Sequence, residues 1–249
     1  MTNVTIDIGN TIISFCLFKK NKLLKHKRIL KDKLDVKALK DLKSSFFESQ
    51  KVKLLISSVV PSSEKVIKSF LKDNSINPIS LKDLLKKIDI KTNIKKQKEI
   101  GEDRFTNIIY AKKIYKNSVI VIDFGTATTF DVLNSKGVYF GGIITPGIDL
   151  SLNVLKYKTA KLPLVKFKKT KKVVGFSTKE AIESGFFWGY CSMIEGLIKK
   201  IEEEQKEVFK IILTGGNANY FKDIHKKIVL TDEFFTSKAL NYILNEYAK

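Results

Sequence analysis

The chain has 249 residues, 43% of them hydrophobic, which is enough to bury one or two cores, and a formal charge of +20. No run approaches about 18 apolar residues and no basic leader precedes an apolar segment, so we predict neither a membrane span nor an export signal. The lysines are spread along the chain and only two arginines occur, Arg28 and Arg104, which argues against a nucleic-acid-binding protein. Cys16 and Cys191 lie in separate apolar segments, so we expect reduced core thiols and a cytoplasmic location.

The first half begins with three apolar, β-branched segments and then alternates helices with strands. The predicted elements are strands at 3–8, 11–18 and 23–30, a helix at 35–48, a strand at 53–57, a helix ending near residue 73, a short strand at 76–80 and a helix at 103–115. Ser62 or Ser63 is expected to cap the helix that ends near residue 73. The basic run Lys95-Lys96-Gln97-Lys98 precedes the last of these helices, where it would attract anions.

The second half repeats this order, which predicts an internal duplication. Its predicted elements are strands at 118–124, 127–134 and 137–145, a long helix at 178–204, a strand at 208–213 and a final helix at 234–247. This pattern predicts an α/β protein with two duplicated ribonuclease-H-like domains, as in the actin, hexokinase and acetate-kinase superfamily. We place the domains at 1–117 and 118–249.

An Asp-x-Gly segment follows the first strand of each half, at Asp7-Ile8-Gly9 and at Asp123-Phe124-Gly125. A carboxylate at a strand end can hold Mg²⁺ directly or through water, and the glycine permits a turn whose N–H groups approach phosphate oxygens. Neighbouring polar side chains offer further contacts; they are Asn10, Thr11, Thr126, Thr128 and Thr129. One copy alone is more typical of a plain hairpin turn, but two copies in register favour a metal and polyphosphate site.

Two further segments carry chemistry. Thr214-Gly215-Gly216-Asn217 follows a strand, and its glycines would let a nucleoside lie close to the backbone, although alone it also fits a helix-entry turn. Gly101-Glu102-Asp103-Arg104 opens a helix, where an ionised Asp103 is suited to accept a proton from an attacking hydroxyl. The alternative is an N-terminal cap with a salt bridge to Arg104, whose planar guanidinium would otherwise suit a substrate carboxylate.

Taken together, these motifs resemble those of the type III pantothenate kinase family. The matching segments run through residues 4–216 in the family's order. They are Asp7-Ile8-Gly9-Asn10-Thr11, Ser58-Val59-Val60-Pro61, Gly101-x-Asp103-Arg104, Asp123-Phe124-Gly125-Thr126-Ala127-Thr128-Thr129, Gly141-Gly142-Ile143-Ile144-x-Pro146-Gly147, Ala160-Lys161-Leu162-Pro163, Gly175-x-x-Thr178-x-x-Ala181-x-x-x-Gly185 and Thr214-Gly215-Gly216.

The resemblance implies a role for each matching segment and a cytoplasmic homodimer. The ATP phosphate loop would comprise Asp7, Ile8, Gly9, Asn10, Thr11, Ile12, Ile13 and Ser14, with Asp7 near Mg²⁺. Pantothenate would be bound by Gly101, Glu102, Asp103 and Arg104, with Asp103 as the proton acceptor. Asp123 would serve a monovalent cation (K⁺ or NH₄⁺), Thr126 would contact ATP, and Thr178 would help bind pantothenate across a dimer interface.

The implied reaction is ATP-dependent phosphorylation of the primary hydroxyl of pantothenate to 4'-phosphopantothenate, the first step of coenzyme A biosynthesis. The chain departs from the family near Ile94, where a pocket Tyr is usual, because residues 51–100 contain no Tyr. One alternative is a kinase of this fold for another small hydroxylated substrate. The other is a non-catalytic nucleotide-binding regulator, against which the retained Asp7, Asp103 and Asp123 argue.

Overall fold

The computed structural model describes residues 2–47, 52–95 and 99–248. In this part of the chain, the first sheet comprises β1 (Thr2–Ile8), β2 (Ile12–Lys19), β3 (Lys22–Leu30), β4 (Val52–Ser58) and β5 (Ile79–Ser80). The second sheet comprises β6 (Val119–Phe124), β7 (Ala127–Leu133), β8 (Tyr139–Pro146), β9 (Lys210–Gly215) and β10 (Ile228–Thr231). The helices are α1 (Val36–Phe46), α2 (Pro61–Asp73), α3 (Leu81–Leu85), α4 (Glu102–Ile114), α5 (Ile148–Tyr157), α6 (Thr178–Gln205) and α7 (Phe235–Tyr247).

The two sheets have the same topology. The first has the order β3-β2-β1-β4-β5 and the second the order β10-β9-β6-β7-β8, which is the same order read from the other edge. In each sheet, the first three strands are antiparallel neighbours. The fourth strand pairs in parallel with the other edge of the first strand, and the fifth pairs in parallel with the fourth. This repeat confirms the predicted duplicated ribonuclease-H-like fold.

The first compact unit contains Met1–Ile90, Lys95–Tyr110 and Phe234–Lys249. Its main core lies between one face of the first sheet and helices α1 and α2, with Leu42 and Ile67 among the buried side chains. Helix α7 packs against β1 and β4. β1 is buried along almost its whole length because helices cover both of its faces.

The second compact unit contains Lys91–Ile94 and Ala111–Glu233. Its core lies between the second sheet and helices α5 and α6, and it includes the stacked rings of Phe124 and Phe221 with centroids 4.8 Å apart. The short segment 91–94 joins this unit through β8. The Tyr139 N–H donates to the Lys91 carbonyl at 2.8 Å, and the Asn93 N–H donates to the Tyr139 carbonyl at 3.1 Å.

The compact units do not divide the chain at residue 117, because α7 belongs to the first unit. Asn3 Nδ2 on β1 donates to Oδ1 of both Asn241 and Asn245 at 2.7 Å, and several apolar side chains of α7 are fully buried. The halves 1–117 and 118–249 each contribute one sheet, and the domain boundary between them stays a prediction.

Some local predictions were wrong. Neither Ser62 nor Ser63 caps helix α2. The helix begins before them, at Pro61, because proline is favoured at the first helical residue. The short elements α3 and β10 were not predicted. Three residues of the basic run 95–98 lie outside the described residues. Within the described part of the chain, Cys16 and Cys191 form no disulfide and are buried, which confirms the prediction of core thiols. None of the described helices combines the length and apolar character that a membrane crossing requires.

Candidate functional site

Asp7 lies near the end of β1 with a partly buried carboxylate. Its register partner on the parallel strand β4 is Ser57, whose hydroxyl hydrogen-bonds to this carboxylate. Burial, then the nearby carboxylate of Asp103 and a smaller effect of Glu102, raises the pKa of Asp7 from 3.8 to about 7. A carboxyl group in such a negative environment binds a proton or a cation near neutral pH.

The turn after β1 is the predicted phosphate loop. The Gly9 N–H donates to the carbonyl of Ile12 at 3.0 Å, which closes the turn. Two loop side chains are buried in the core, and the others are partly buried or exposed. The buried ones are Ile8 and Ile13, and the others are Asn10, Thr11, Ile12 and Ser14. The buried pair anchors the turn, so the exposed tip and backbone remain for a ligand.

Asp103 lies in the first turn of α4, folded back over Gly101. Its Oδ1 accepts a hydrogen bond from the backbone N–H of Arg104 at 2.8 Å. A Cβ on Gly101 would lie 2.6 Å from the same oxygen, closer than real Cβ atoms approach a neighbour. Glycine at 101 therefore permits the position of the Asp103 carboxylate.

Glu102 is turned toward the end of β4. The backbone of Ser58 hydrogen-bonds to its carboxylate. Burial and the nearby Glu64, with a smaller effect of Asp103, outweigh Lys82 and raise the pKa of Glu102. This contact links the first turn of α4 to Ser58 at the end of β4, next to Ser57, the strand partner of Asp7.

In the second unit, Asp123 occupies the position on β6 that Asp7 occupies on β1. Its register partner on the parallel strand β9 is Thr214, so both side chains lie on the same face of the sheet. Gly215 has a φ of +89°, and a Cβ there would lie 2.6 Å from Asp123 Oδ1. The carboxylate therefore lies directly over the glycine of the predicted nucleoside segment.

The second Asp-x-Gly turn is one residue shorter than the first. The Gly125 N–H donates to the carbonyl of Ala127 at 3.1 Å, whereas the first turn closes from Gly9 to Ile12. Thr126 is exposed at its tip, and its carbonyl accepts a hydrogen bond from the Gly147 N–H at 3.0 Å. The two copies thus share topology but differ at the atoms that would face phosphate.

Thr178 is exposed and begins the long helix α6 in the second unit. The hydroxyl of Ser177 accepts a hydrogen bond from the Glu180 N–H at 3.2 Å, and the Glu180 carboxylate accepts one from the Phe176 N–H at 2.8 Å. This capping box fixes the start of the helix. Phe187 lies in the core on this helix, and Phe186 and Trp188 are partly buried beside it.

The two carboxylate sites suit different cations. No group of three or more His, Cys, Asp or Glu side chains among residues 2–47, 52–95 and 99–248 could hold a metal ion. Mg²⁺ commonly uses one or two carboxylates together with water and substrate phosphates, and Asp7 in its negative surroundings fits this requirement. Beside Asp123, Thr214 Oγ1 is fully buried and has no hydrogen-bond partner among the described residues, so it could supply a second oxygen to a cation.

The structure brings the predicted site residues together in two groups. Asp7 and the segment 101–104 share the first unit, whereas Asp123, Thr126 and the 214–217 segment share the second. Sequence reasoning missed the hydroxyl of Ser57 and the link from Glu102 to Ser58. The pairing of β1 with β4 could have indicated Ser57, because its position matches that of Thr214 in the second half.

Solved structures share the fold. The ethanolamine utilization protein EutJ from Carboxydothermus hydrogenoformans matches over 98% of this chain and 90% of its own, with 13% identity and a TM-score of 0.57. The activator of 2-hydroxyisocaproyl-CoA dehydratase from Clostridium difficile, solved with bound ADPNP, matches over 100% of this chain and 96% of its own, with 13% identity and a TM-score of 0.54.

Sequence relatives identify the family. The family model for type III pantothenate kinase matches residues 3–200. The type III pantothenate kinase of Pelagibacter ubique (strain HTCC1062) is 39% identical over 94% of this chain and 95% of its own length. That of Sulfurihydrogenibium sp. (strain YO3AOP1) is 38% identical over 98% of this chain and 99% of its own length. The chain therefore belongs to the type III pantothenate kinase family.

Proposed function

We propose that this protein transfers the γ-phosphoryl group of ATP to the primary hydroxyl of pantothenate, giving 4'-phosphopantothenate for coenzyme A biosynthesis. The observation that carries the proposal is the grouping of Asp7 with Asp103 in one unit, close enough for their charges to interact. Phosphoryl transfer requires both a cation site at the phosphates and a base at the acceptor hydroxyl. Membership of the family supports the choice of pantothenate as acceptor.

Asp103 is the proposed proton acceptor. Its carboxylate is held by the backbone N–H of Arg104 and by the absence of a side chain at Gly101, so one oxygen position is fixed before substrate binds. It takes the proton of the pantothenate hydroxyl as that oxygen attacks the γ-phosphorus in line. Gly101, Glu102 and Arg104 complete the proposed pantothenate-binding segment. Positioning and electrostatics would then supply most of the rate enhancement.

The phosphate-binding loops are the two Asp-x-Gly turns. We assign the loop from Asp7 to Ser14 to the ATP phosphates and Thr126 to a contact with ATP. Mg²⁺, held by Asp7, would neutralise charge on the transferring group, and a K⁺ or NH₄⁺ ion at Asp123 would add fixed positive charge. The buried hydroxyl of Thr214 beside Asp123 supports the second assignment.

We also propose a homodimer in which Thr178 contributes to the pantothenate site. Support comes from two adjoining apolar grooves on α5 and α6, with volumes of about 430 and 440 Å³. Leu150 and Val154 line the first groove and are 43% and 50% exposed, so they belong to a contiguous apolar surface of the kind that marks protein interfaces. The two buried thiols, which are not joined in a disulfide, support a cytoplasmic location.

The decisive experiment detects product. The purified protein is incubated with ATP, Mg²⁺ and pantothenate, and the added phosphate is detected by mass spectrometry in K⁺, NH₄⁺ or Na⁺. We expect 4'-phosphopantothenate, formed faster with K⁺ or NH₄⁺ than with Na⁺. The variant Asp123→Asn should lose the difference between K⁺ and Na⁺.

The same assay separates the alternatives. Sugars, glycerol and acetate replace pantothenate in parallel reactions. Faster phosphorylation of one of them would overturn the assignment of pantothenate as the acceptor. Nucleotide binding without transfer to any acceptor would instead favour a regulator. Equal rates with K⁺ and Na⁺ would remove the cation assignment while leaving the kinase activity intact.

A further inference from the structure

Three loops of the second unit meet at one end of its sheet. Gly147, which precedes α5, lies so close to the turn after β6 that a Cβ there would be 2.4 Å from the carbonyl oxygens of Gly125 and Thr126. The loop after β9 joins them, because Asn217 Nδ2 donates to Asp149 Oδ2 at 3.4 Å. These contacts place the first turn of α5 between the second phosphate turn and the predicted nucleoside segment.

Asp149 is the charged side chain at this meeting point. It lies in the first turn of α5 and is exposed. The hydrogen bond from Asn217 engages Oδ2 at a long distance and leaves the carboxylate accessible. Its charge also acts on the nearby Tyr190, whose OH donates to the carbonyl of Pro146 at 2.7 Å.

The carboxylate of Asp149 and the amide of Asn217, beside the glycine-rich segment 214–217, offer hydrogen-bond acceptors and donors suited to a sugar. Ribose presents two adjacent hydroxyls, and a carboxylate accepts hydrogen bonds from them, as it does in dinucleotide-binding folds. The buried hydroxyl of Thr214, which has no partner in the described structure, precedes Gly215 at the same end of the sheet. The segment 214–217 thus places the proposed cation ligand Thr214 and the amide of Asn217 beside Asp149 three residues apart.

We propose that Asp149, oriented by Asn217, accepts hydrogen bonds from the ribose hydroxyls of the nucleotide and makes the protein select ribonucleotides over 2'-deoxyribonucleotides. This inference rests on the proposed use of ATP. It assigns the 214–217 segment and the start of α5 to the nucleoside, whereas the Asp-x-Gly turns serve the phosphates. No pantothenate contact is involved.

The experiment compares nucleotides. Calorimetry measures the affinity of ADP and 2'-deoxy-ADP for the wild-type protein and for Asp149→Ala, and kcat/KM is measured for ATP and 2'-deoxy-ATP. The wild type should favour the ribonucleotide about tenfold, the effect of one hydrogen bond to a charged group. In Asp149→Ala this ratio should fall to near one. Asn217→Ala should reduce it partially.

The matched control is Asp223→Asn, which removes an exposed carboxylate of the same unit that pairs with Lys169 at 3.7 Å. It should keep the wild-type ratio. If Asp149 only ties α5 to the loop after β9, its loss would lower the unfolding temperature but leave the ratio unchanged, and the proposal would be overturned. A wild-type ratio of one would overturn it as well. Because the binding measurement needs no acceptor, failure to phosphorylate pantothenate would be a separate result.

Discussion

The carboxylates of Asp7, at the end of β1, and Asp103, in the first turn of α4, lie close enough for the charge of Asp103 to raise the pKa of Asp7. Asp103 is held by the Arg104 N–H and Asp7 by the Ser57 hydroxyl, so neither carboxylate is free to turn away without losing a hydrogen bond. In the proposed mechanism this pair combines a cation site at Asp7 with a base at Asp103.

Replacing Asp103 with Asn should remove the base without changing the shape of the site. We expect kcat to fall about 10²–10⁴-fold, the usual contribution of general-base catalysis, while the KM for ATP changes little. Steady-state kinetics with pantothenate measure both constants. Asp32→Asn, at a carboxylate whose side chain is 91% exposed, is the control. Wild-type turnover in Asp103→Asn would remove Asp103 from the mechanism.

Asp7 should make the metal-free protein less stable as the pH rises. Its folded pKa of about 7 lies above its ordinary value of 3.8. The contribution of protonated Asp7 to the free energy of unfolding is therefore complete below about pH 4 and is lost as the pH rises through 7. Asp7→Asn cannot ionise, so at pH 8 it should exceed the wild type in free energy of unfolding by about 2 kcal/mol. At pH 5, which still lies above the ordinary pKa of 3.8, the gain should be less than half as large, and it should vanish only below about pH 4.

The measurement for Asp7→Asn is chemical denaturation in EDTA at the two pH values. Mg²⁺ with ADP should stabilise the wild type at pH 8 more than the variant, because the cation replaces the missing positive charge. Equal pH dependence of the two proteins would contradict the environment described for Asp7.

Gly101→Ala should displace the carboxylate of Asp103, the proposed base. The new Cβ would lie 2.6 Å from Asp103 Oδ1, so the side chain of Asp103 must move. A displacement of about 1 Å at a reacting group costs about 10²-fold in rate. We expect this loss in kcat with little change in ADP affinity or unfolding temperature. Unchanged kcat would show that the position of Asp103 in the folded protein is not the reactive one.

Within the proposed pantothenate-binding segment, Glu102 should hold the first turn of α4 in place. Its carboxylate accepts a hydrogen bond from the Ser58 backbone, so Glu102→Ala should loosen the first turn of α4 and lower kcat about tenfold. Glu102→Gln keeps a carbonyl acceptor and should restore most of the rate. If instead both variants raise the KM for pantothenate equally without changing kcat, Glu102 contacts the substrate directly.

Val154→Asp should weaken the proposed dimer. Val154 is 50% exposed and lines the groove on α5, and a carboxylate there would be buried unpaired between two copies. Sedimentation velocity should show a shift from dimer to monomer. Val208→Asp is the control, because Val208 is 72% exposed and lies outside both grooves. Identical sedimentation of Val154→Asp and the wild type would place the interface elsewhere.

The secondary structure around the predicted site residues was predictable because short segments determine it locally. The two Asp-x-Gly turns, the Gly101–Arg104 helix start and the 214–217 segment all follow predicted strands or open helices, as the structure has them. Each depends on backbone requirements that a few neighbouring residues satisfy. The start of α2 was misplaced because Pro61 competes with the serines for the first helical position.

The amino-acid sequence by itself determined the duplicated order of strands and helices, the turn glycines and the family. Only the tertiary structure decided that α7 packs on β1 of the first unit, that Ser57 hydrogen-bonds to Asp7 and that Asp103 shares its environment. Periodicity and turn residues act over a few positions and can be read from the chain. The pKa of Asp7 and the neighbours of Asp149 depend on burial and on charges brought together from distant segments, so they exist only once the chain has folded.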